Sequence, residues 1–132
     1  MNEWRELLYK SIEEGTLNSL NKVFDFIEEE FLELTDPIKK MDPTLVSMYK
    51  KGVCDELIVS IGENNLKFIS DGYKNEVTVT NRLNDKIAVI KIINYCAYGF
   101  MTEGSYEISE TREVLNKEFI DKIFKMTFEV KN

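Results

Sequence analysis

Residues 57–93 decide the fold, and their sequence is LIVSIGENNLKFISDGYKNEVTVTNRLNDKIAVIKII. Apolar residues recur at every second position in three runs, over 57–61, 66–69 and 77–80. This two-residue period is that of a β-strand with one buried face. Asp71-Gly72 lies between two of the runs and is typical of a tight turn. Because strands joined by short turns pair with their chain neighbours, the pattern predicts an antiparallel meander.

The last strand of this stretch, 87–93, differs from the others because both of its faces are apolar. Ala88 and Ile90 fall on one face, and Ile87 and Val89 fall on the other. An antiparallel strand with one face in water carries polar residues on that face. We therefore expect 87–93 to be a central strand with helices on one side. The other side is expected to be covered by a curled sheet, or else by an interface with a partner subunit, as in a homodimer.

Helices are predicted before the meander, over residues 3–34, with a break or bend at Gly15-Thr16. From residue 17 onward the apolar residues fall within about 100° of a helical wheel, which is the width of a buried stripe. They are Leu17, Leu20, Phe24, Ile27, Phe31 and Leu34. Asp36-Pro37 is predicted to end this helix, because the residue before a proline avoids the helical conformation.

A second, shorter helix is predicted directly before the meander. Asp42-Pro43 has the features of a helix start, with an aspartate as N-cap and a proline at the first helical position. Residues 44–51 would then form two turns. Gly52 would follow as the residue in the left-handed conformation that ends many helices.

The end of the chain predicts a helix that follows the sheet. Asn116 is a favourable N-cap, and the helix after it has one apolar stripe, formed by Phe119, Ile120, Ile123 and Phe124. Tyr106 and Ile108 are expected to begin a fifth strand, after a long segment over 86–101. Residues 1–132 are thus predicted to form one α+β domain, with N-terminal helices, a four- to five-stranded antiparallel meander and a C-terminal helix.

The composition of the 132 residues excludes several classes of chemistry. The chain has no histidine, so no imidazole serves as a base, as the activator of a nucleophile or as a metal ligand. It also lacks a glycine-rich phosphate loop and a G-x-S-x-G nucleophile motif. We therefore predict a protein that is not an enzyme and has no catalytic residues, no metal and no cofactor.

The start of the chain and its cysteines indicate a cytoplasmic protein. The first residues lack the basic start and apolar core of a signal peptide, and no apolar run approaches the ~20 residues of a membrane span. Cys54 and Cys96 fit no metal-ligand spacing and are expected to be reduced thiols. The abundance of Lys, Ile and Asn is typical of an AT-rich bacterial or phage gene.

The net charge of −7 is concentrated in residues 1–36, which hold ten acidic and three basic residues. Residues 37–132 hold fourteen of each and are neutral. The glutamates of 28–33 have the spacing of a carboxylate-rich metal helix, but the wheel places Glu29 and Glu33 opposite the apolar stripe. A solvated acidic face is therefore predicted instead of a metal site.

This acidic helical face is the predicted binding site for a protein with a basic surface. Its members are Asp25, Phe26, Glu29, Glu30 and Glu33. Phe26 is expected to be an exposed aromatic residue among carboxylates, as in an interaction hot spot, or else to pack under residues 3–14 or under the loop after Pro37. Immunity proteins, phage inhibitors of host defence and secretion chaperones share this size and charge, so a protein-binding role of that kind is predicted.

Two other functions are compatible with the sequence. One is a small-ligand-binding or enzymatic domain, with a pocket between the sheet and the helices lined by Tyr95, Tyr98 and Phe100. The other is a DNA mimic. It is disfavoured because duplex DNA presents a charge about every 1.7 Å, whereas a helical face presents one only about every 5 Å. The net charge also disfavours direct binding to nucleic acid or to an anionic membrane.

Overall fold

The computed structural model describes residues 2–14, 17–103, 106–108 and 111–130 of the chain. Within these ranges two helices come first, followed by a run of strands and a last helix. The elements are α1 (Glu3–Glu14), α2 (Leu20–Met41), a 3₁₀ turn (Pro43–Leu45), β1 (Val46–Lys51), β2 (Glu56–Ile61), β3 (Asn64–Asp71), β4 (Glu76–Asn81), β5 (Lys86–Ile93), β6 (Cys96–Glu103), β7 (Tyr106–Glu107), β8 (Glu113–Val114) and α3 (Lys117–Phe128). The predicted break at Gly15-Thr16 lies outside the described residues.

The strands form an antiparallel sheet in which neighbours follow chain order from β1 to β7, and the short β8 pairs with β6. The prediction of an α+β fold, with helices before and after an antiparallel meander in the chain, is confirmed. The predicted number of four to five strands is wrong, because the path holds seven strands. The difference arises because 44–51 contributes a strand instead of a helix and because 86–101 contains two strands.

Residues 44–51, predicted as a helix, form the edge strand β1 after a single 3₁₀ turn. The start is as predicted, since the Asp42 carboxylate accepts a hydrogen bond from the Thr44 N–H at 3.0 Å. From there, β1 pairs with β2 along its whole length. A two-turn helix is marginal on its own, whereas a ladder to β2 bonds the backbone continuously. Gly52, with φ +65°, lies in the turn between the two strands.

Helix α2 continues through Pro37 and ends at Met41, so the predicted end at this proline is wrong. A proline inside a helix removes one backbone hydrogen bond and costs about 3 kcal/mol. Helical bonding nevertheless resumes, because the Asp42 N–H donates to the Ile38 carbonyl at 2.8 Å. Ile38 is half-buried, so the extra turn places an apolar side chain against the protein.

Helices α2 and α3 pack against one face of the sheet and form the core. The buried residues of α3 are the four that the sequence predicts. In α2, Phe24, Ile27 and Phe31 are buried as predicted, but Leu34 is exposed, and Val23 and Thr35 are buried instead. The strands contribute the fully buried residues Leu57, Val59, Leu66, Phe68, Val77, Val79 and Ala88.

Aromatic rings join the two helices to each other and to the sheet. The ring of Phe31 lies 6.0 Å from that of Phe124 and 6.2 Å from that of Phe128, measured between centroids. The ring of Phe119 lies directly on the backbone of β6 at Gly99. A Cβ atom at residue 99 would be only 2.3 Å from that ring, so the close contact requires a glycine.

The central strand β5 is covered on both faces, as its sequence predicts. Ala88 and Ile90 face the helices, and Val89 on the opposite face is only 1% exposed. Its cross-strand neighbour Phe100 is 7% exposed, and the ammonium of Lys91 lies 5.4 Å from the Phe100 ring centroid. This second face is buried by the chain itself around Val89, without a second subunit.

Candidate functional site

Helix α2 presents a row of exposed carboxylates on the side opposite the core. Asp25, Glu29, Glu33 and Asp36 recur at intervals of three or four residues and are all exposed. We name these four residues the acidic stripe. The buried side of the same helix anchors it to the sheet, so the stripe is carried by a fixed element. Three of the five residues predicted to bind a protein therefore lie on this surface.

The other two predicted residues, Phe26 and Glu30, lie at its margin. Phe26 is half-buried and packs against the core, so it is not the exposed aromatic residue that one interpretation of the sequence requires. The side chain of Glu30 is only 15% exposed. Glu30 lies on the flank of α2 that faces α3, because Lys117 at the start of α3 reaches it.

Two lysines from other elements neutralise part of the acidic surface. On one flank, Lys50 of β1 places its Nζ atom 3.1 Å from Glu28 and 3.9 Å from Asp25. On the other flank, Lys117 lies 2.9 Å from Glu33 and 3.9 Å from Glu30. The hydrogen bond to Glu33, with the charges of Glu33 and Glu30, raises the pKa of the Lys117 ammonium.

Glu29 lies between these two flanks and has no ion pair among the described residues. Asp36 pairs with Lys40 of the next helical turn, at 3.2 Å. The negative charge of the stripe is therefore least neutralised at its centre and more neutralised at its edges. The sequence does not predict these pairs, because Lys50 and Lys117 are 22 and 84 residues away from Glu28 and Glu33.

A cleft of about 550 Å³ lies between α1 and the turn that joins β5 to β6. Its lining combines aromatic, aliphatic and polar side chains: Trp4, Leu7, Leu8, Lys10, Ser11, Asn94, Tyr95 and Tyr98. We name it the aromatic cleft. The Ser11 hydroxyl donates a hydrogen bond to the Asn94 carbonyl and so ties α1 to the turn. Tyr95 and Tyr98 belong to the pocket that the sequence suggests, whereas Phe100 is buried and does not line it.

The turn at the edge of the aromatic cleft has an unusual backbone. Asn94 and Tyr95 both have positive φ, at +50° and +64°, as in a two-residue type I′ turn. Glycine is preferred at the second position of such a turn, and a residue with a Cβ atom costs about 1–2 kcal/mol there. Tyr95 is 54% exposed, so its side chain is buried only in part. Backbone strain of this kind occurs at functional positions.

Cationic side chains lie on two of the aromatic rings near the cleft. The guanidinium of Arg112 is 3.9 Å from the ring centroid of Tyr98, and that of Arg5 is 5.3 Å from the ring centroid of Trp4. Trp4 itself is 63% exposed. The sequence does not predict that α1 forms a wall of this cleft, because Trp4, Leu7 and Leu8 recur at the spacing of a buried helical stripe, whereas Trp4 and Leu7 are exposed in the structure.

The described residues offer few other chemical groups. They contain no cluster of three or more acidic or cysteine side chains that could hold a metal ion. Cys54 is half-buried, and Cys96 is buried; both are free thiols. Among the helices of the described ranges, none combines the length and the apolar character needed to cross a membrane.

Comparison with protein-family models, with curated proteins and with solved structures gives no match for this chain. No residue role can therefore be transferred from a relative. The acidic stripe and the aromatic cleft are two surfaces of the described residues whose chemistry bears on function.

Proposed function

We propose that the protein acts by binding another protein, and that the acidic stripe of α2 contacts a basic surface of that partner. The observation that carries this proposal is the row of exposed carboxylates on a helix whose opposite side is fully buried. Because the helix is fixed before binding, little conformational entropy is lost when the partner docks. Complementary charge of this kind mainly raises the association rate and selects the partner.

The distribution of charge supports a basic protein surface over the other partners considered. Residues 1–36 carry the whole net charge of −7, so they repel nucleic acid phosphates and anionic lipids. The stripe also falls short of a DNA mimic, because Lys50 and Lys117 neutralise carboxylates on both of its flanks. The remaining unpaired charge at Glu29 suits a single basic patch.

The biological role that fits this proposal is that of a small acidic protein that inhibits a basic protein or acts as its chaperone. Examples are an immunity protein, an inhibitor of a host defence protein and a chaperone-like subunit, in the cytoplasm of a bacterium or in a phage-infected cell. These classes share size and charge with the chain and no motif, so they extend the proposal by analogy. The proposal needs no catalytic group.

The proposal is tested by reversing the stripe and comparing it with an equal change elsewhere. A triple variant, Asp25→Lys with Glu29→Lys and Glu33→Lys, takes the net charge from −7 to −1. A control triple, Glu63→Lys with Asp85→Lys and Glu129→Lys, makes the same change at exposed positions outside α2. Native lysate is passed over the immobilised wild-type protein, and the proteins that remain bound are identified. The amount of each that the two variants capture is then quantified.

The expected result is that the stripe variant loses the captured partner and the control triple retains it. Equal capture by both variants, or equal loss from both, would contradict the proposal, because only a local surface distinguishes them. Phe26 is left unchanged, since its contact with the core means that Phe26→Ala would also lower stability. Melting temperatures of both triples establish that each variant is folded.

A gain of function provides a second test. Lys117→Gln removes the cation that lies 2.9 Å from Glu33, so the stripe becomes more negative. Association with the basic partner should then be faster by about two- to fivefold at low salt, and the gain should fade as salt screens the charges. Lys74→Gln makes the same charge change in an exposed turn and should have a smaller effect.

A second candidate function is favoured by one observation, the aromatic cleft. It corresponds to a domain that binds a small ligand between α1 and the sheet. The cleft does not share residues with the acidic stripe. The two functions are therefore separable by mutation and do not exclude each other.

A further inference from the structure

We propose that two copies of the protein pair through their β1 strands, so that their two sheets join into one continuous antiparallel sheet. This pairing uses the edge of the sheet. It needs neither the acidic stripe nor the aromatic cleft, so it is independent of the proposed function.

The two edges of the sheet differ in how the chain covers them. At one edge, β6 pairs with two short strands, β7 and β8. At the other edge, β1 pairs with β2 along its whole length without a bulge, and it has no second neighbour within the described ranges. A regular, exposed edge strand presents unpaired backbone N–H and C=O groups and is a template for pairing with another strand. The sheet can therefore grow at β1.

Half of the backbone groups of β1 point away from β2. The Gly62 N–H donates a hydrogen bond to the Leu45 carbonyl at 2.8 Å, directly before the first pair of the β1–β2 register. Hydrogen-bonded and non-hydrogen-bonded pairs alternate along an antiparallel ladder. Ser47 and Tyr49 are therefore bonded to β2, and the residues between and beside them direct their N–H and C=O groups outward. The outward-pointing residues are Val46, Met48 and Lys50.

The lysine of this edge does not oppose an incoming strand. Edge strands are commonly protected by lysines, whose charge disfavours a second strand. Here the ammonium of Lys50 lies 3.1 Å from Glu28 and 3.9 Å from Asp25, so α2 offsets its charge. Met48 and Tyr49 remain 40% and 57% exposed. The edge thus combines unpaired backbone groups with apolar surface that a partner would bury.

A second copy is the partner that fits this edge, because β1 is complementary to itself. A two-fold axis at Met48 engages all three outward-pointing residues of both strands, in about six backbone hydrogen bonds. Axes at neighbouring residues engage fewer of them. In this register Lys50 lies opposite Val46 of the second copy, so no lysine faces another. Tyr49 lies opposite Ser47 of the second copy and diagonal to the second Tyr49, within reach of its ring. Two-fold pairs are also the commonest protein oligomers.

The pairing fixes where the helices of the two copies lie. Opposite residues of paired antiparallel strands point to the same face of a sheet. Helices α2 and α3 pack against one face of each sheet, so both helix layers would lie on the same side of the joined sheet. The dimer would therefore carry two acidic stripes on that side.

Sedimentation velocity of the full-length protein tests the pairing. Each copy carries a net charge of −7, so the runs use about 0.3 M NaCl to screen the repulsion. Two short strands form a small and therefore weak interface. We expect the average mass to rise from that of a monomer to that of a dimer between about 5 µM and about 1 mM protein.

Hydrogen–deuterium exchange at single-residue resolution identifies the surface. The amides of Val46, Met48 and Lys50 should exchange about tenfold more slowly at the highest concentration than at the lowest, because the dimer protects them. The amides of Ser47 and Tyr49 are the internal control. They are bonded to β2 in the monomer, so their exchange should not depend on concentration.

Four double variants test the register. Ser47 and Tyr49 are exposed, and their partners in β2, Ser60 and Ile58, are uncharged. Ser47→Glu with Tyr49→Glu, and Ser47→Lys with Tyr49→Lys, place like charges opposite each other in the dimer. Ser47→Glu with Tyr49→Lys, and Ser47→Lys with Tyr49→Glu, place opposite charges there. The like-charge variants should dimerise at least about tenfold more weakly than the opposite-charge variants, whatever the net charge.

Met48→Pro tests the backbone hydrogen bonds. The Met48 N–H points away from β2, so proline removes a bond of the dimer and none of the β1–β2 ladder, and edge strands accept proline at such positions. This variant should stay monomeric up to about 1 mM protein while remaining folded in thermal unfolding. Met48→Thr keeps the N–H and suits a strand, so it should still dimerise.

Three results would overturn the proposal. The first is a wild-type protein that is monomeric at every concentration up to about 1 mM. The second is a dimer that the folded Met48→Pro variant retains. The third is equal dimerisation of the like-charge and opposite-charge variants, and it decides the question alone where Met48→Pro does not fold. A dimer formed through another surface, such as the exposed side of α1, would give the second and third results.

Discussion

Helices α1 and α2 are both amphipathic in sequence, yet the structure uses them in opposite ways. Helix α2 buries five residues completely and turns its carboxylates outward. Helix α1 leaves Trp4 and Leu7 exposed, at 63% and 68%, and buries no residue of its described part fully. One helix therefore holds the fold together, and the other keeps apolar side chains available at the surface.

This difference separates two kinds of binding surface. Charged groups around a rigid, buried helix attract a partner from a distance but contribute little affinity once the charges are screened by salt. Aromatic side chains that the fold leaves exposed contribute affinity at short range. Their apolar surface is still in contact with water, so a ligand that buries it gains the free energy of that burial. The acidic stripe and the aromatic cleft thus act over different ranges.

The variant with the largest expected effect tests whether the stability of the core depends on α2 and not on α1. Phe31→Ala should lower the free energy of unfolding by about 3–5 kcal/mol, because it empties a buried site between the Phe124 and Phe128 rings. Leu7→Ala in α1 should cost less than about 0.5 kcal/mol. Urea denaturation followed by circular dichroism measures both. Similar losses from the two variants would show that α1 is as important to the fold as α2.

A smaller effect is expected where α3 touches the sheet. Gly99→Ala should destabilise the protein by about 1–3 kcal/mol, because its Cβ atom would overlap the Phe119 ring. Gly72→Ala is the matched control: no atom lies within 4 Å of the Cβ position there, so stability should barely change. Thermal unfolding of the two variants distinguishes a packing constraint from a general need for glycine in strands and turns.

A gain of stability is expected beside α1. Tyr95→Gly should stabilise the fold by about 1 kcal/mol, because glycine adopts the positive φ without strain. In a chain of this length that corresponds to a rise of roughly 3–6 °C in melting temperature. Tyr95→Ala removes the same ring but keeps the Cβ atom, so it should not be stabilising. A stabilising alanine variant would mean that the ring, and not the backbone, is the source of the cost.

The smallest effect is expected at the end of α2, where the Asp42 carboxylate caps the following turn. The side chain and backbone of Thr44 donate hydrogen bonds to it and lower its pKa below the usual 3.8. A lowered pKa in the folded state means that the stabilisation is present above pH 3.8 and is lost as the pH falls through the folded-state pKa.

The denaturation midpoints of the wild type and of Asp42→Ala should accordingly differ slightly at pH 6 and converge in strong acid. Asp36→Ala, at the exposed end of the acidic stripe, serves as the control for the loss of one negative charge. A difference for Asp42→Ala that persists unchanged below pH 2 would mean that the ionised carboxylate contributes nothing to the cap.

Local sequence patterns were sufficient to predict much of the fold. The alternation in β2 to β4, the Asn116 cap and the apolar stripe of α3 each depend on neighbours only a few residues away, and all three are present as predicted. The doubly apolar 87–93 also identified a strand that is covered on both faces. Because these signals do not need tertiary context, the α+β class followed from them.

The errors arose where distant contacts overrode a local signal. Residues 44–51 carry a good helix start, but β2 offers their backbone a complete ladder. The acidic stripe could be predicted from the helical wheel, whereas the lysines that pair with it come from β1 and α3. For Phe26 the sequence left an exposed and a packed position open, and its half-buried contact with the core decides between them.

The order of elements also has a consequence for synthesis. Helix α2 emerges from the ribosome before any of the strands against which it packs, since it precedes β1 in the chain. Until β2 to β5 have been made, Phe24, Ile27 and Phe31 have no surface to cover them. A nascent segment with exposed apolar residues is prone to aggregate. Residues 1–36 carry an excess of seven negative charges. These charges make growing chains repel one another while this segment is most prone to aggregate.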